Sequence, residues 1–396
     1  MGTIETQHAL CSALTNISCS EIFVTAEYPS HSVGNNSKVF NTLISKQLLV
    51  ICWKTSRFLA GRFTVALIAA IALTRLFFLM FAKRPSVIVF YTCIFPTPIL
   101  VLKHIFSLPM LSGLFPTLRI VNFIQGTPSF SNIYINDPFR RIESSIRLLI
   151  YKNFYASSDF IVVSTPSLRH LIRNTIFPPN DSSLSTKVRL IPNGILDLRS
   201  LSPNSSVKGL SLPSPEALGE YNFFFVGRLT YQKNIVNLVR SFVLAIEKSV
   251  ISSNSTLTLI GNGDLSNDLI KNFSHFPQIK FLGFKQDPWQ SLTPSSIVIV
   301  PSFWEEPGHV PLEALSRGFR TLISTGCSVI DFIPSSFQDI VCFNPRNTDD
   351  IFSSIRDRTN LATWNKIFPL MDGVISLFTK DSFEESISKI VFEVEQ

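Results

Sequence analysis

Apolar residues along this chain gather into short runs that end in glycine, proline or serine, and longer stretches with apolar positions at three- and four-residue spacing separate them. Four such runs mark the C-terminal half: residues 221–228 (YNFFFVGR), 255–263 (STLTLIGNG), 279–284 (IKFLGF) and 295–302 (SSIVIVPS). Between the first two, NIVNLVRSFVLAIEKS has helical spacing. The alternation predicts a βαβαβ order, hence a parallel sheet covered by helices whose ligands bind at the carboxyl ends of the strands.

The N-terminal half repeats the rhythm less cleanly. SEIFVTAEY, SVIVFYTCIF, LRIVNFIQGTP, SSDFIVVSTPS and KVRLIPNGI (187–195) read as strands. The stretch joining the halves is rich in Ser, Pro and Leu and lacks a helical period. We therefore expect an α/β chain with an N-terminal domain over residues 1–200, a connection over 201–220 and a C-terminal domain over 221–396, a length that suits two cores.

One apolar segment raises a membrane question. Residues 63–82 (FTVALIAAIALTRLFFLMFA) are interrupted only by Thr64, Thr74 and Arg75. Twenty residues suffice to span a bilayer, but Arg75 past the middle would cost roughly 2.5–3.5 kcal/mol against lipid. The segment then runs into KRPSVIVFYT, as a helix feeding a strand would. A helix of the α/β domain ranks first, an interfacial membrane helix second and a true span last.

Charge sharpens the picture. The chain carries 35 Lys and Arg against 28 Asp and Glu, a net +7, yet from Tyr28 to Asn136 it has no acidic residue and ten basic ones. One-signed charge beside apolar sequence suits an anionic membrane surface. No nucleic-acid reading motif accompanies it, so we expect no nucleic-acid partner. The six cysteines form no CxxC pair and no histidine stands at metal-ligand spacing from them, which suits a reducing cytoplasm. The opening MGTIETQHAL is polar where a secretory signal would be basic and then apolar.

The residues suited to chemistry lie at the ends of the C-terminal runs. Gly227 closes a strand and is followed by Arg228 and Lys233 near a helix start, a site for phosphate or simply two solvated cations on a loop. Gly261 and Gly263 punctuate the next strand end, at the same edge. In PSFWEEPGHVPLEALSRG, Pro311 suits the first position of a helix, which would put Glu313 in its first turn and leave Glu305 in the loop before it. Glu313 could serve the helix dipole alone; Glu305 could not. Carboxylates take hydroxyl hydrogens, and cations with helix-terminal amides take phosphate, so the set fits a diphosphate flanked by hydroxyl-rich rings.

Residues 187–325 resemble the retaining glycosyltransferases of family 4, with their two-domain B-type fold. KVRLIPNGI resembles the family's interdomain stretch, FVGRLTYQKNI its glycine-arginine-lysine turn, and EEPGHVPLE its E-x7-E signature, followed by ALSRG. The resemblance implies two Rossmann-like domains whose parallel sheets face a cleft, the last helix packing back on the N-terminal domain. Arg228, Lys233 and Glu305 would be the catalytic residues, the two cations holding the donor diphosphate and Glu305 the sugar hydroxyls. Gly227, Gly261, Gly263, Phe284, Gly308, His309, Val310 and Glu313 would bind the donor, Glu313 through the ribose. Gln125 stands where many members carry a histidine near the transferred sugar.

The activity implied is metal-independent transfer from a nucleotide sugar, with retention, to a hydroxyl of a saccharide or polyprenyl-linked saccharide in cell-surface polysaccharide synthesis. It would need no cofactor and would take place in the cytoplasm at the inner membrane face. A nucleotide-sugar-binding scaffold without turnover is the alternative, supported by Gln125 and by the departure of STGCSVIDFI from the family loop. Arg320 replaces a common proline, which bears on the donor pocket. Gly2 and Glu5 resemble a family element that normally follows a first strand, so the natural start is expected upstream of Met1.

Overall fold

The computed structural model describes residues 22–28, 49–54, 87–91, 119–124, 155–156, 158–176, 186–194 and 220–395. Residues 63–82, Gly2, Glu5, Gln125 and the 201–219 stretch of the interdomain connection lie outside them. The chain divides into two compact units, residues 1–194 with 380–396, and residues 195–379.

In the first unit six strands, β1 (Ile22–Tyr28), β2 (Leu49–Lys54), β3 (Val87–Tyr91), β4 (Arg119–Ile124), β5 (Phe160–Val163) and β6 (Val188–Leu190), form one sheet in the order β2-β1-β3-β4-β5-β6. Every pairing is parallel. β2 was not anticipated from the sequence. Helix α1 (Pro166–Ile176) follows β5 and buries Leu168 and Ile172.

The second unit repeats the design with β7 (Asn222–Val226), β8 (Thr256–Ile260), β9 (Ile279–Gly283), β10 (Ile297–Val300), β11 (Arg320–Ser324) and β12 (Cys342–Phe343). All are parallel, in the order β12-β11-β10-β7-β8-β9. The helices between and after them are α2 (Ile235–Glu247), α3 (Ser266–Phe273), α4 (His309–Ser316), α5 (Ser335–Val341), α6 (Thr348–Asp357) and α7 (Leu361–Ser376). Strands covered on both faces read as unbroken apolar runs, and all four residues of β10 are buried. Phe223, Phe225 and Phe242 join them in the core. The last helix, α8 (Lys380–Glu395), belongs to the first unit, where Phe383 meets Phe123 edge-on at 6.5 Å.

β11 escaped the sequence reading because it opens on Arg320 and Thr321, both buried. Arg320 donates to the carbonyls of Thr359 and Ser295 at 2.5 and 2.6 Å. It therefore serves the amino end of the strand, opposite the glycine turns, and the donor pocket expected at those turns does not involve it. Among the described residues no helix is long and apolar enough to cross a membrane.

The turns after β7 and β8 interlock so closely that a Cβ on Gly261, at φ +140, would sit 1.8 Å from the Gly227 carbonyl oxygen. Gly373, exposed in α7, has nothing within 4 Å of the same position. Gly261→Ala is expected to cost at least about 1 kcal/mol, whereas Gly373→Ala gains roughly 0.5–1 kcal/mol. Urea unfolding midpoints of the two variants check this; equal midpoints would contradict the close packing of the two turns.

Candidate functional site

The strand order of the second unit reverses between β7 and β10, since the chain after β7 builds β8 and β9 on one side and β10 starts the other. The loops leaving the carboxyl ends of those two strands therefore start at the switch point, the place where open α/β sheets take their ligands. The loop after β7 carries Gly227, Arg228 and a 3-10 turn at Tyr231–Lys233; the loop after β10 runs to Gly308, which caps α4.

The two loops are latched together. The Phe303 amide donates to the Gln232 carbonyl, and the Gln232 side chain donates to the Trp304 carbonyl, both at 2.8 Å. Asn234, left-handed at φ 56, turns the chain into α2 and anchors it by donating from Nδ2 to the Pro345 carbonyl at 2.7 Å. A third turn, after β11, pins Glu305: its amide donates to the Gly326 carbonyl at 2.9 Å and its carbonyl accepts from the Ser328 amide at 3.0 Å.

These latches bring Lys233 Nζ against Glu305 Oε1. Glu305 is 7% exposed, and the same oxygen accepts from Ser302 Oγ at 2.8 Å. The carboxylate read from the sequence as facing a sugar thus already serves a lysine and a serine. Burial pushes Lys233 down to about 8, Cys327 opposing the shift and Arg228 adding to it. Arg228 itself is exposed beside this pair. Burial likewise lowers His309 to about 4, with Lys233 acting in the same direction, so it is neutral near pH 7. Cys327, fully buried, is raised to about 11 by burial.

The donor-side glycines also converge. Gly227 N donates to the Ile260 carbonyl at 3.0 Å, Leu229 N to that of Asn262 at 3.0 Å, and Gly261 N to that of Gly283 at 2.8 Å, which aligns Gly227, Gly261, Gly263 and Phe284 along one edge. Phe284 is 62% exposed there. Gly308 gives α4 no side-chain cap, so the amides of His309 and Val310 begin the helix without one.

Glu313 departs from expectation. The helix starts at His309, so Pro311 is its third residue and Glu313 lies in the second turn, beyond the first-turn position where a carboxylate serves the dipole best. Its Oε2 instead accepts from Trp289 Nε1 at 3.0 Å. Trp289, Ser302 and Cys327 were not anticipated: Trp289 and Cys327 gain their places through partners more than twenty residues away, and Ser302 through Glu305 three residues on, within a loop that has no periodic pattern to mark it. Among the described residues no group of three or more His, Cys, Asp and Glu could hold a metal ion.

Comparison with known proteins gives one consistent result. Residues 213–359 match the family model of the glycosyl transferases group 1. An uncharacterized glycosyltransferase of Methanocaldococcus jannaschii is 31% identical over 46% of this chain and 44% of its own length. The Escherichia coli UDP-Gal:alpha-D-GlcNAc-diphosphoundecaprenol alpha-1,3-galactosyltransferase is 33% identical over 35% of this chain and 36% of its own. The matches thus span less than half of either relative. Anabaena HepE, solved in complex with UDP and glucose, superposes with a TM-score of 0.62 at 14% identity over 94% of this chain and 99% of that one, which shows the two-domain B-type fold.

The lowered lysine carries a direct expectation. Because its ordinary value is 10.5 and its value here about 8, the site keeps both cations below pH 8 and loses one above it. After reductive 13C-methylation, the NMR signal that disappears in Lys233→Arg should titrate near 8. A midpoint at or above 10 would show that attraction to Glu305 outweighs burial.

Proposed function

We propose that this chain, whose residues 213–359 match the family model of the glycosyl transferases group 1, transfers a sugar from a nucleotide sugar to an acceptor hydroxyl with retention at the anomeric carbon. The observation that carries this reading is the meeting of Lys233, Glu305 and the Arg228 turn at the point where the strand order reverses.

In this reading the donor diphosphate lies between Arg228, Lys233 and the first amides of α4. Charge grows on the departing nucleotide as the glycosidic bond breaks, and fixed cations at that place stabilise the transition state more than the ground state. Glu305 holds the Lys233 ammonium in position and answers its charge before the donor arrives. Glu313 accepts from the ribose hydroxyls. No protein base stands beside the reacting carbon in this scheme: the leaving phosphate oxygen takes the proton of the acceptor hydroxyl on the same face, which yields retention. The two cations perform the charge stabilisation that a divalent ion would otherwise supply, so we assign no metal.

For the acceptor we favour a lipid-linked saccharide. The basic, acid-free stretch from Tyr28 to Asn136 supports a peripheral place on an anionic membrane surface, at its inner face. The E. coli relative is named for a diphosphoundecaprenol-linked acceptor, and HepE holds UDP, which makes uridine donors the first to try.

The test is transfer from a panel of nucleotide sugars to a polyprenyl-diphosphate-linked saccharide in anionic vesicles and to the soluble saccharide, with and without EDTA. We expect transfer on anionic vesicles, undiminished by EDTA, with the product anomer matching the donor by NMR. Inverted product would overturn retention, loss with EDTA would overturn metal independence, and equal rates on the soluble saccharide would overturn the lipid-linked preference. Nucleotide binding without any transfer or hydrolysis would leave the chain a scaffold.

A further inference from the structure

Twenty-four residues separate Trp289 from Glu313, and the fold brings the indole N–H onto the carboxylate. Trp289 lies in a 3-10 turn, Pro288–Ser291, between β9 and β10 and is 9% exposed. A buried indole needs an acceptor for its single N–H, and most would find a backbone carbonyl as readily. Here the ring is held from several sides so that its nitrogen points at one side chain. The Asp287 carboxylate caps the turn by accepting from the Trp289 amide at 3.1 Å. Phe319 stacks on the ring at 6.1 Å between centroids and 16° between planes. The Arg317 guanidinium sits 5.1 Å from the ring centroid and also donates from NH1 to the Glu313 carbonyl at 3.0 Å, tying the indole to the helix that carries the carboxylate.

We infer that Trp289 is a positioning residue for nucleotide recognition: its indole fixes the Glu313 carboxylate in the orientation that receives the ribose hydroxyls. The inference rests on the reading of Glu313 as the ribose acceptor. An ionised carboxylate has about four acceptor sites on two oxygens, and the indole, a donor only, occupies one on Oε2 without competing for hydroxyl hydrogens elsewhere on the group. A free glutamate would lose side-chain freedom when it closed on the ribose; a glutamate already held by Trp289 has lost it in folding.

The experiment compares the unaltered chain, Trp289→Phe and Glu313→Gln in calorimetric binding of UDP, GDP and ADP, and then of the 2′,3′-dideoxy form of whichever binds most tightly. Phenylalanine keeps an aromatic ring against Phe319 and beneath Arg317; it removes the N–H together with one ring of the indole, so the dideoxy nucleotide serves as the control for any general loosening of the site. Trp289→Phe should weaken the natural nucleotide roughly three- to tenfold, with the dideoxy form bound as tightly as by the unaltered chain. Glu313→Gln should weaken the natural nucleotide more and likewise spare the dideoxy form. A Trp289→Phe loss that is equal for both nucleotides, or absent while Glu313→Gln weakens binding, would overturn the positioning role. Unchanged binding by Glu313→Gln would instead overturn the ribose role of that carboxylate, and a chain that binds none of the three nucleotides would overturn the donor reading itself. If Trp289→Phe does not fold, Arg317→Met, which frees the indole face, should give the same selectivity with a smaller loss, roughly two- to threefold, and no change in that ratio would count against the inference.

Discussion

A lysine ammonium and a glutamate carboxylate face one another at the carboxyl edge of the second sheet, and the three loops around them are shaped to keep them in contact. Each charge taken from water costs several kcal/mol, which attraction repays only with good geometry and further hydrogen bonds. Here the side chains of Lys233 and Glu305 are 15% and 5% exposed, and Ser302 supplies the further bond. Removing either partner alone would leave a buried charge unanswered, at about 3–5 kcal/mol. The backbone bonds from Glu305 to Gly326 and Ser328, and from Phe303 to Gln232, hold the loops where the pair requires them.

That constraint divides the labour between two carboxylates that look alike in sequence. Glu305 is turned inward to a lysine, which fixes that cation at the carboxyl edge of the sheet. Glu313 is half-buried on the second turn of α4 and bonded to an indole, past the first-turn position that serves a helix dipole. The glycine turns after β7 and β8 complete the edge, because only a residue without a Cβ lets their backbones meet at Gly261.

Much of this was legible in the chain itself. β7 to β10 announce themselves because strands buried on both faces are continuous apolar runs closed by glycine, proline or serine. β2, Leu49–Lys54, is preceded by KQL and followed by TSR, with no glycine or proline to set it off, and β11 hides behind an arginine whose carbonyl partners come from Ser295 and Thr359. The start of α4 was misplaced by two residues because proline is tolerated anywhere in a first turn, where amides have no intrahelical partner. The loop residues Arg228, Lys233, Glu305 and Glu313 were readable from type and position. Their partners were not: Lys233 and Glu305 are 72 residues apart, and no local pattern records that Trp289 will meet Glu313.

The most direct test is transfer kinetics for Glu305→Gln, Glu306→Gln and Glu313→Gln measured side by side, each with its unfolding midpoint. Glu306 adjoins Glu305 but is not the residue paired with Lys233. Loss of the charge on Glu305 or Glu313 should lower kcat/KM roughly ten- to a hundredfold, while Glu306→Gln stays within about threefold of the unaltered chain. A ranking in which Glu306→Gln is the most damaging, with Glu305→Gln and Glu313→Gln near full activity, would contradict the assignment of the site.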